Sequence, residues 1–145
     1  SREAAVHRLD QFARAEEAVV LTRSPLYVDK AAVVGPCDFV VGADTASRIL
    51  DPKYYSDGVE ATLDIIRAAG CGFVVAGRLD PATGSYVAAD ASLAAAPPNH
   101  RDMFVTLAES DFRLDISSTE LRKRNLRHDA DFPATVADRY CRRKT

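Results

Sequence analysis

The sequence predicts an α/β fold, a parallel sheet with helices on both faces, and three observations predict it. Short apolar runs at Ala18–Leu21, Asp38–Val41 and Cys71–Ala76 read as strands of the kind buried in a parallel sheet. Amphipathic helical stretches fall between them, the alternation that α/β folds require. A further run, Phe112 to Ile116, alternates apolar and polar residues and leads straight into a helix start at Ser117.

Composition sets the frame. The chain has 145 residues, enough for one domain (1–145) with a real core, and its 47% apolar and 28% charged content is ordinary for a globular protein. The formal net charge of −2 gives the molecule no reason to seek nucleic acid or an anionic membrane. Cys37, Cys71 and Cys141 are an odd number of cysteines without Cys-x-x-Cys spacing. That argues against a disulfide framework or a zinc site and for a reducing compartment, so a cytoplasmic location is expected. No apolar run approaches the roughly 18 residues of a membrane helix, and the N-terminus reads as a charged helix rather than a secretory signal. The sequence does not begin with methionine, which suggests a fragment boundary.

The elements follow in order. Arg2 to Ala15 reads as a helix with Val6, Leu9, Phe12 and Ala13 on one face. The Ala18–Leu21 strand ends at Thr22-Arg23-Ser24-Pro25. Ligands of open α/β sheets sit beyond the carboxyl ends of strands, so Thr22 and Arg23 either line a cleft or simply lead into the next helix. That helix spans Pro25 to Val34 and stops at Gly35-Pro36. After the Asp38–Val41 strand, Gly42-Ala-Asp-Thr45 turns into a helix that runs to Leu50 and is ended by Asp51-Pro52. Gly42 lets backbone approach a ligand. Asp44 either caps the helix or accepts hydrogen bonds from a ribose. Tyr54 and Tyr55 lie in the loop Lys53–Gly58.

Val59 to Ala69 is an amphipathic helix with Leu63, Ile66 and Ala69 inward, closed by Gly70. Arg78 stands just past the carboxyl end of the Cys71–Ala76 strand, as a phosphate ligand or as a plain solvent-facing arginine. Leu79 to Asp90 carries Pro81 and Gly84 and reads as a hairpin or loop excursion. Ala91 to Asn99 is an alanine- and proline-rich connection, and His100 to Ala108 reads as a short helix. His100 is assigned no chemistry.

The Phe112–Arg124 unit is where an anion would bind. Ser117 can cap the helix and Glu120 can complete a capping box. Free N–H groups, the hydroxyls of Ser117, Ser118 and Thr119, and the Arg122 guanidinium one turn on suit a polyphosphate. A capped helix with a solvated basic face explains the same residues. Asn125 to Asp131 reads as a polar loop, and Pro133 to Arg143 as a final helix.

Ile116-Ser-Ser-Thr-Glu-Leu-Arg122 resembles the Ile-Ser-Ser-Thr-x-x-Arg signature of the nucleotidylyltransferase superfamily. The nearest resemblance is to nicotinate/nicotinamide mononucleotide adenylyltransferases and to cytidylyltransferase-like proteins. Phe39-Val-Val-Gly-Ala-Asp-Thr45 resembles the family's hydrophobic–Gly-Ala-Asp-Ser segment, and Phe73-Val-Val-Ala-Gly-Arg78 its strand ending in arginine. Phe132-Pro-Ala-Thr-Val-Ala-Asp-Arg-Tyr140 resembles its closing helix. The order and rough spacing agree from about Val19 onward.

The resemblance implies a Rossmann-like sheet and transfer of AMP or CMP from ATP or CTP to a small phosphorylated substrate, with Mg²⁺ and release of pyrophosphate. It implies that Gly42 and Asp44 hold the nucleoside, that Ser117, Ser118, Thr119 and Arg122 hold the triphosphate, and that Arg78 assists. Two departures matter. The family's Gly-x-Phe-x-Pro-x-His-x-Gly-His loop is absent: the histidines are His7, His100 and His128, none in that spacing. The family's first strand is not found either, so the chain reads as an N-terminally truncated, C-terminal portion, expected to be inactive by itself. Relatives that make NAD precursors often stack a tryptophan on the pyridine ring, and this chain has none. Two other classes stay open: a non-catalytic nucleotide-binding module, and an interaction domain in which Ser117 is only a cap. A homo-oligomer is allowed but not specified.

Overall fold

The computed structural model describes residues 16–80 and 83–113, together with Val6, Leu9, Phe12 and Ala13. The chain divides into two compact units, Thr22–Ile116 and the pair of terminal segments Ser1–Leu21 and Ser117–Thr145. In the terminal unit, Val6, Leu9, Phe12 and Ala13 are helical, as their spacing predicts. The Glu17 N–H donates to the Phe12 carbonyl at 3.0 Å at the end of that helix.

The Ala18–Leu21 strand does not form: these residues carry no strand pairing and are exposed, Leu21 by 71%. Four apolar residues are too few for periodicity to decide, and a strand exists only where a ladder partner satisfies its backbone.

The central unit is a mixed α/β arrangement on a three-stranded, all-parallel sheet. Helix α1 (Tyr27–Val34) ends at Gly35, whose φ of 79° is glycine's left-handed territory. Strand β1 (Asp38–Gly42) follows, then helix α2 (Ala43–Ile49). Asp51 caps a 3-10 turn at Pro52–Tyr54, accepting from the Lys53 N–H at 3.1 Å. Helix α3 (Val59–Ala68) starts after Gly58 and buries Leu63 and Ile66, the expected inner face. Gly70 closes it, its N–H bonded to the Arg67 carbonyl at 2.8 Å.

Strand β2 (Gly72–Ala76) is central, and a two-residue hairpin, β3 (Arg78–Leu79) against β4 (Tyr86–Val87), springs from its carboxyl end. The hairpin alternative predicted for 79–90 is thereby realised. Two 3-10 turns, Ala89–Leu93 and Pro98–Met103, lead to β5 (Phe104–Leu107). The sheet order is β1-β2-β5.

The predicted helix His100–Ala108 is therefore wrong. Its first part is the 3-10 turn, and the rest is β5, paired in parallel with β2 from Phe73↔Phe104 to Ala76↔Leu107. Phe104-Val-Thr-Leu107 is aromatic and β-branched, and the ladder to β2 outweighs a weak helical pattern. This strand is the third of the sheet among the described residues. Phe112 and Arg113 lie past it in irregular backbone, and Leu114 onward, with the helix expected at Pro133–Arg143, lies outside the described residues.

Register explains the core. Phe39, Phe73 and Phe104 stand opposite one another on one face of three neighbouring strands. Phe73 stacks on Phe104 with ring centroids 5.0 Å apart and lies 5.9 Å from Phe39. Tyr27 of α1 meets Phe39 and Phe73 edge-on at 5.1 and 5.6 Å. One step along, Val41 and Val75 continue the buried face. The alternate row, Val40-Val74-Val105, points the other way, and there Val40 is 74% and Val105 59% exposed. Helices on both faces are thus not seen among the described residues: α1 covers the phenylalanine face, and the valine face is open at both edges. No helix among the described residues is long and apolar enough to cross a membrane.

The two rows predict opposite responses. Phe73→Ala empties a site sealed by Tyr27, Phe39 and Phe104 and should cost about 3–5 kcal/mol in urea unfolding. Val40→Thr, on the open face, should change stability by no more than about 0.5 kcal/mol.

Candidate functional site

The carboxyl ends of β1 and β2 lie side by side, with Gly42 opposite Ala76 in the ladder. Three predicted site residues gather here. Gly42 ends β1 and sits at the cap position of α2 with extended backbone, φ −83° and ψ 162°. A Cβ at Gly42 would meet no atom of the described residues within 4 Å. Neither packing nor backbone geometry demands glycine at this position. Asp44 lies in the first turn of α2, yet no side chain caps that helix. The Asp44 carboxylate instead accepts a hydrogen bond from the Arg78 guanidinium, forming an ion pair. Arg78 opens β3, two residues past the end of β2. Capping, one of the two readings of Asp44, is therefore not its role. Arg78 is not a plain solvent-facing arginine either.

Gly77 is what brings Arg78 in. Tyr86 of β4 folds back over it, so that an added Cβ would lie 2.3 Å from the Tyr86 hydroxyl and 2.6 Å from the Val87 carbonyl oxygen. Only a residue without a side chain lets the hairpin turn so tightly off the sheet. The Tyr86 hydroxyl is buried there and has no hydrogen-bond partner among the described residues.

Other candidates fall elsewhere. Ser117, Ser118, Thr119 and Arg122, with the loop Asn125–Asp131, lie outside the described residues. Thr22 and Arg23 follow no strand, so they do not line a strand-end cleft; the Thr22 hydroxyl instead accepts from the Ser24 N–H at 3.2 Å. Tyr54 is partly exposed beneath the Lys53 ammonium, 4.9 Å from its ring centroid. Burial pushes the half-buried Tyr55 hydroxyl above its ordinary pKa, with Asp51 adding to the effect. Among the described residues no group of three or more His, Cys, Asp or Glu is placed to hold a metal ion.

The amino-terminal side of the sheet holds what sequence reasoning missed. His100, in the turn before β5, is 4% exposed, and its Nε2 lies 2.8 Å from Asp64 of α3. Arg67, one turn along α3, reaches Asp102 at 2.6 Å and the Asn99 carbonyl at 2.8 Å. Together these contacts fasten α3 to the turn that delivers β5. Asp64 and Arg67 at helical spacing carried the only sequence signal for this, and their partners lie more than thirty residues away. Cys37 and Cys71 also meet here, with sulfurs 4.0 Å apart.

Compared with known proteins, the chain matches no family model, no curated protein and no solved structure.

Gly77→Ala should force the hairpin away from β2 and displace Arg78 from Asp44. A loss of about 1–3 kcal/mol in thermal or urea unfolding is expected from the overpacking.

Proposed function

We propose that this chain is a nucleotidylyltransferase-like protein of Rossmann-like architecture that binds a nucleoside triphosphate, ATP or CTP, at the carboxyl edge of its parallel sheet. The reaction of that class passes AMP or CMP to a small phosphorylated substrate and releases pyrophosphate. One observation supports the reading above others: Gly42, Asp44 and Arg78, singled out in two separate segments, come together where open α/β sheets bind their ligands. Gly42 supports it further, because no contact with the described residues accounts for a glycine there.

On this reading Gly42 gives the nucleoside close access to backbone, and Asp44 accepts from its ribose. Arg78 offers phosphate oxygens charge-assisted hydrogen bonds, and the resemblance gives the same task to Ser117, Ser118, Thr119 and Arg122. The described residues offer no Mg²⁺ cage of their own, and Asp44 is engaged by Arg78. Mg²⁺ would therefore arrive on the triphosphate, as it does at many phosphate sites.

Nucleotidyl transfer depends on positioning and on stabilising phosphoryl charge. The resembled enzymes use a histidine loop for this, and that loop is not in this sequence. His100, the one histidine among the described residues, is buried against Asp64 on the other side of the sheet. That observation favours a second reading, a nucleotide-binding module without catalysis. On either reading the chain as it stands should bind without releasing pyrophosphate.

Titration calorimetry with MgATP and MgCTP tests the proposal. One of the two should bind, and Arg78→Ala or Arg122→Ala should weaken it about 10- to 100-fold. Gly42→Ala should keep the wild-type Tm and still weaken binding. No binding of either nucleotide by the wild-type chain overturns the proposal, and unchanged affinity in Arg122→Ala removes that residue from the site.

A further inference from the structure

We propose that Cys37 and Cys71 form a reversible, oxidant-sensitive thiol pair that closes to a disulfide across β1 and β2. The two residues are far apart in sequence but neighbours in the sheet. The Gly72 N–H donates to the Cys37 carbonyl at 3.1 Å, extending the parallel ladder one step before the Asp38↔Gly72 pair. Cys37 and Cys71 therefore stand opposite each other, on the same side as Phe39 and Phe73. Neighbouring strands run about 4.8 Å apart, inside the roughly 4.4–6.8 Å Cα separation that disulfides span. Their sulfurs, at 4.0 Å, need only side-chain rotation and a small approach to bond.

The environment assigns the roles. Cys37 is partly exposed and Cys71 is buried, so a dissolved oxidant reaches Cys37 first. The Cys71 thiol donates to the Gly35 carbonyl at 3.1 Å and is held next to Cys37. Burial raises the Cys37 pKa, and the Cys71 thiol and Asp38 raise it further. The thiolate is then scarce at neutral pH, and the reaction should speed up in alkaline buffer.

With hydrogen peroxide as oxidant, the Cys37 thiol ionises, its thiolate attacks one peroxide oxygen and the O–O bond breaks; a sulfenic acid forms, and the departing hydroxide takes up the thiol's proton as water. The Cys71 sulfur then attacks the Cys37 sulfur. The S–O bond breaks and the departing hydroxide takes the Cys71 proton as a second water. Two thiols lose two electrons and two protons, and one peroxide becomes two waters. A small-molecule thiol reverses the bond by exchange. The link would pin the amino ends of β1 and β2 and leave Gly42 and Ala76, at the other end of the ladder, free.

The test uses the full chain carrying Cys141→Ser, so that only this pair remains. The folded protein is treated with hydrogen peroxide, alkylated, and read by intact mass and by tryptic mapping. Cleavage at the intervening arginines and lysine separates peptides 31–48 and 68–78, which carry one cysteine each. The expected result is a monomer lighter by about 2 Da, the two peptides joined, and full reversal by dithiothreitol. Formation should be faster at pH 9 than at pH 7. Cys37→Ser should abolish the link, and Cys71→Ala, which keeps the site small and apolar, should let Cys37 run on to sulfinic acid. Peroxide treatment that leaves both thiols free, over-oxidises Cys37 beside an unreacted Cys71, or links the pair only in urea overturns the proposal.

Discussion

Three phenylalanines in register hold the central unit together. In a parallel sheet the strands are joined by crossovers, never by a tight turn, so nothing local fixes their relative register. Here that task falls to side chains. Phe39, Phe73 and Phe104 each occupy the second, second and first position of their strands, and their rings make one continuous row with Tyr27 lying across it. Sliding any strand by one residue would replace a phenylalanine in that row with a residue from the opposite face. The row would lose one ring's burial, on the order of 150–250 Å² of surface. Register at the phenylalanine row then determines which residues face each other at both ends of the ladder.

The two ends of the sheet are thus consequences of one alignment, and they differ in character. At the carboxyl end the backbone is made accessible: Gly42 carries no side chain, and Gly77 lets the chain double back under Tyr86. Asp44 and Arg78 there sit on short elements and stay reachable by solvent. At the amino end the groups are enclosed. Cys71 and His100 are buried, and Arg67 and Asp64 tie α3 to the last turn before β5. The sheet has an open rim at one end, and at the other a fastened edge with a thiol pair inside it.

How much of this is legible in sequence depends on how local the deciding interaction is. Helix α1 and its stop at Gly35, the inner face of α3, and the strands β1 and β2 could be read directly. Each is settled by periodicity and a nearby punctuating glycine or proline. Phe104–Leu107 could not, because its partner is β2, and its own pattern is too short to distinguish strand from helix. Ala18–Leu21 failed in the opposite direction: the residues are strand-like, but no ladder claims them. In the site, Gly42, Asp44 and Arg78 were found as separate words. That Asp44 holds Arg78 and caps nothing is a tertiary fact, set by a hairpin whose tightness hangs on Gly77. The Cys37–Cys71 and Asp64–His100 approaches have the same origin: each joins residues more than thirty positions apart.

The Asp44–Arg78 pair bears on the proposed chemistry in a way neither residue does alone. An exposed ion pair contributes only about 0–1 kcal/mol, so holding Arg78 adds little to stability. What it does is place a long, rotamer-rich side chain at the sheet's edge before anything binds, which reduces the ordering cost at binding. One guanidinium nitrogen faces Asp44, and the planar fork carries further N–H donors beyond that one. A phosphate brings more charge than a carboxylate and a geometry the fork matches. If Arg78 turns toward it, Asp44 is left with acceptor oxygens and no partner, next to Gly42, where backbone is open to close approach. Its unpaired carboxylate then needs donors, and ribose hydroxyls are donors. On the proposed reading, the ion pair and the two ligand roles are one arrangement in two states. The free state keeps each charge matched, and the bound state exchanges both partners together, so the site should favour a ligand that carries phosphate and sugar at once over inorganic phosphate or a free nucleoside.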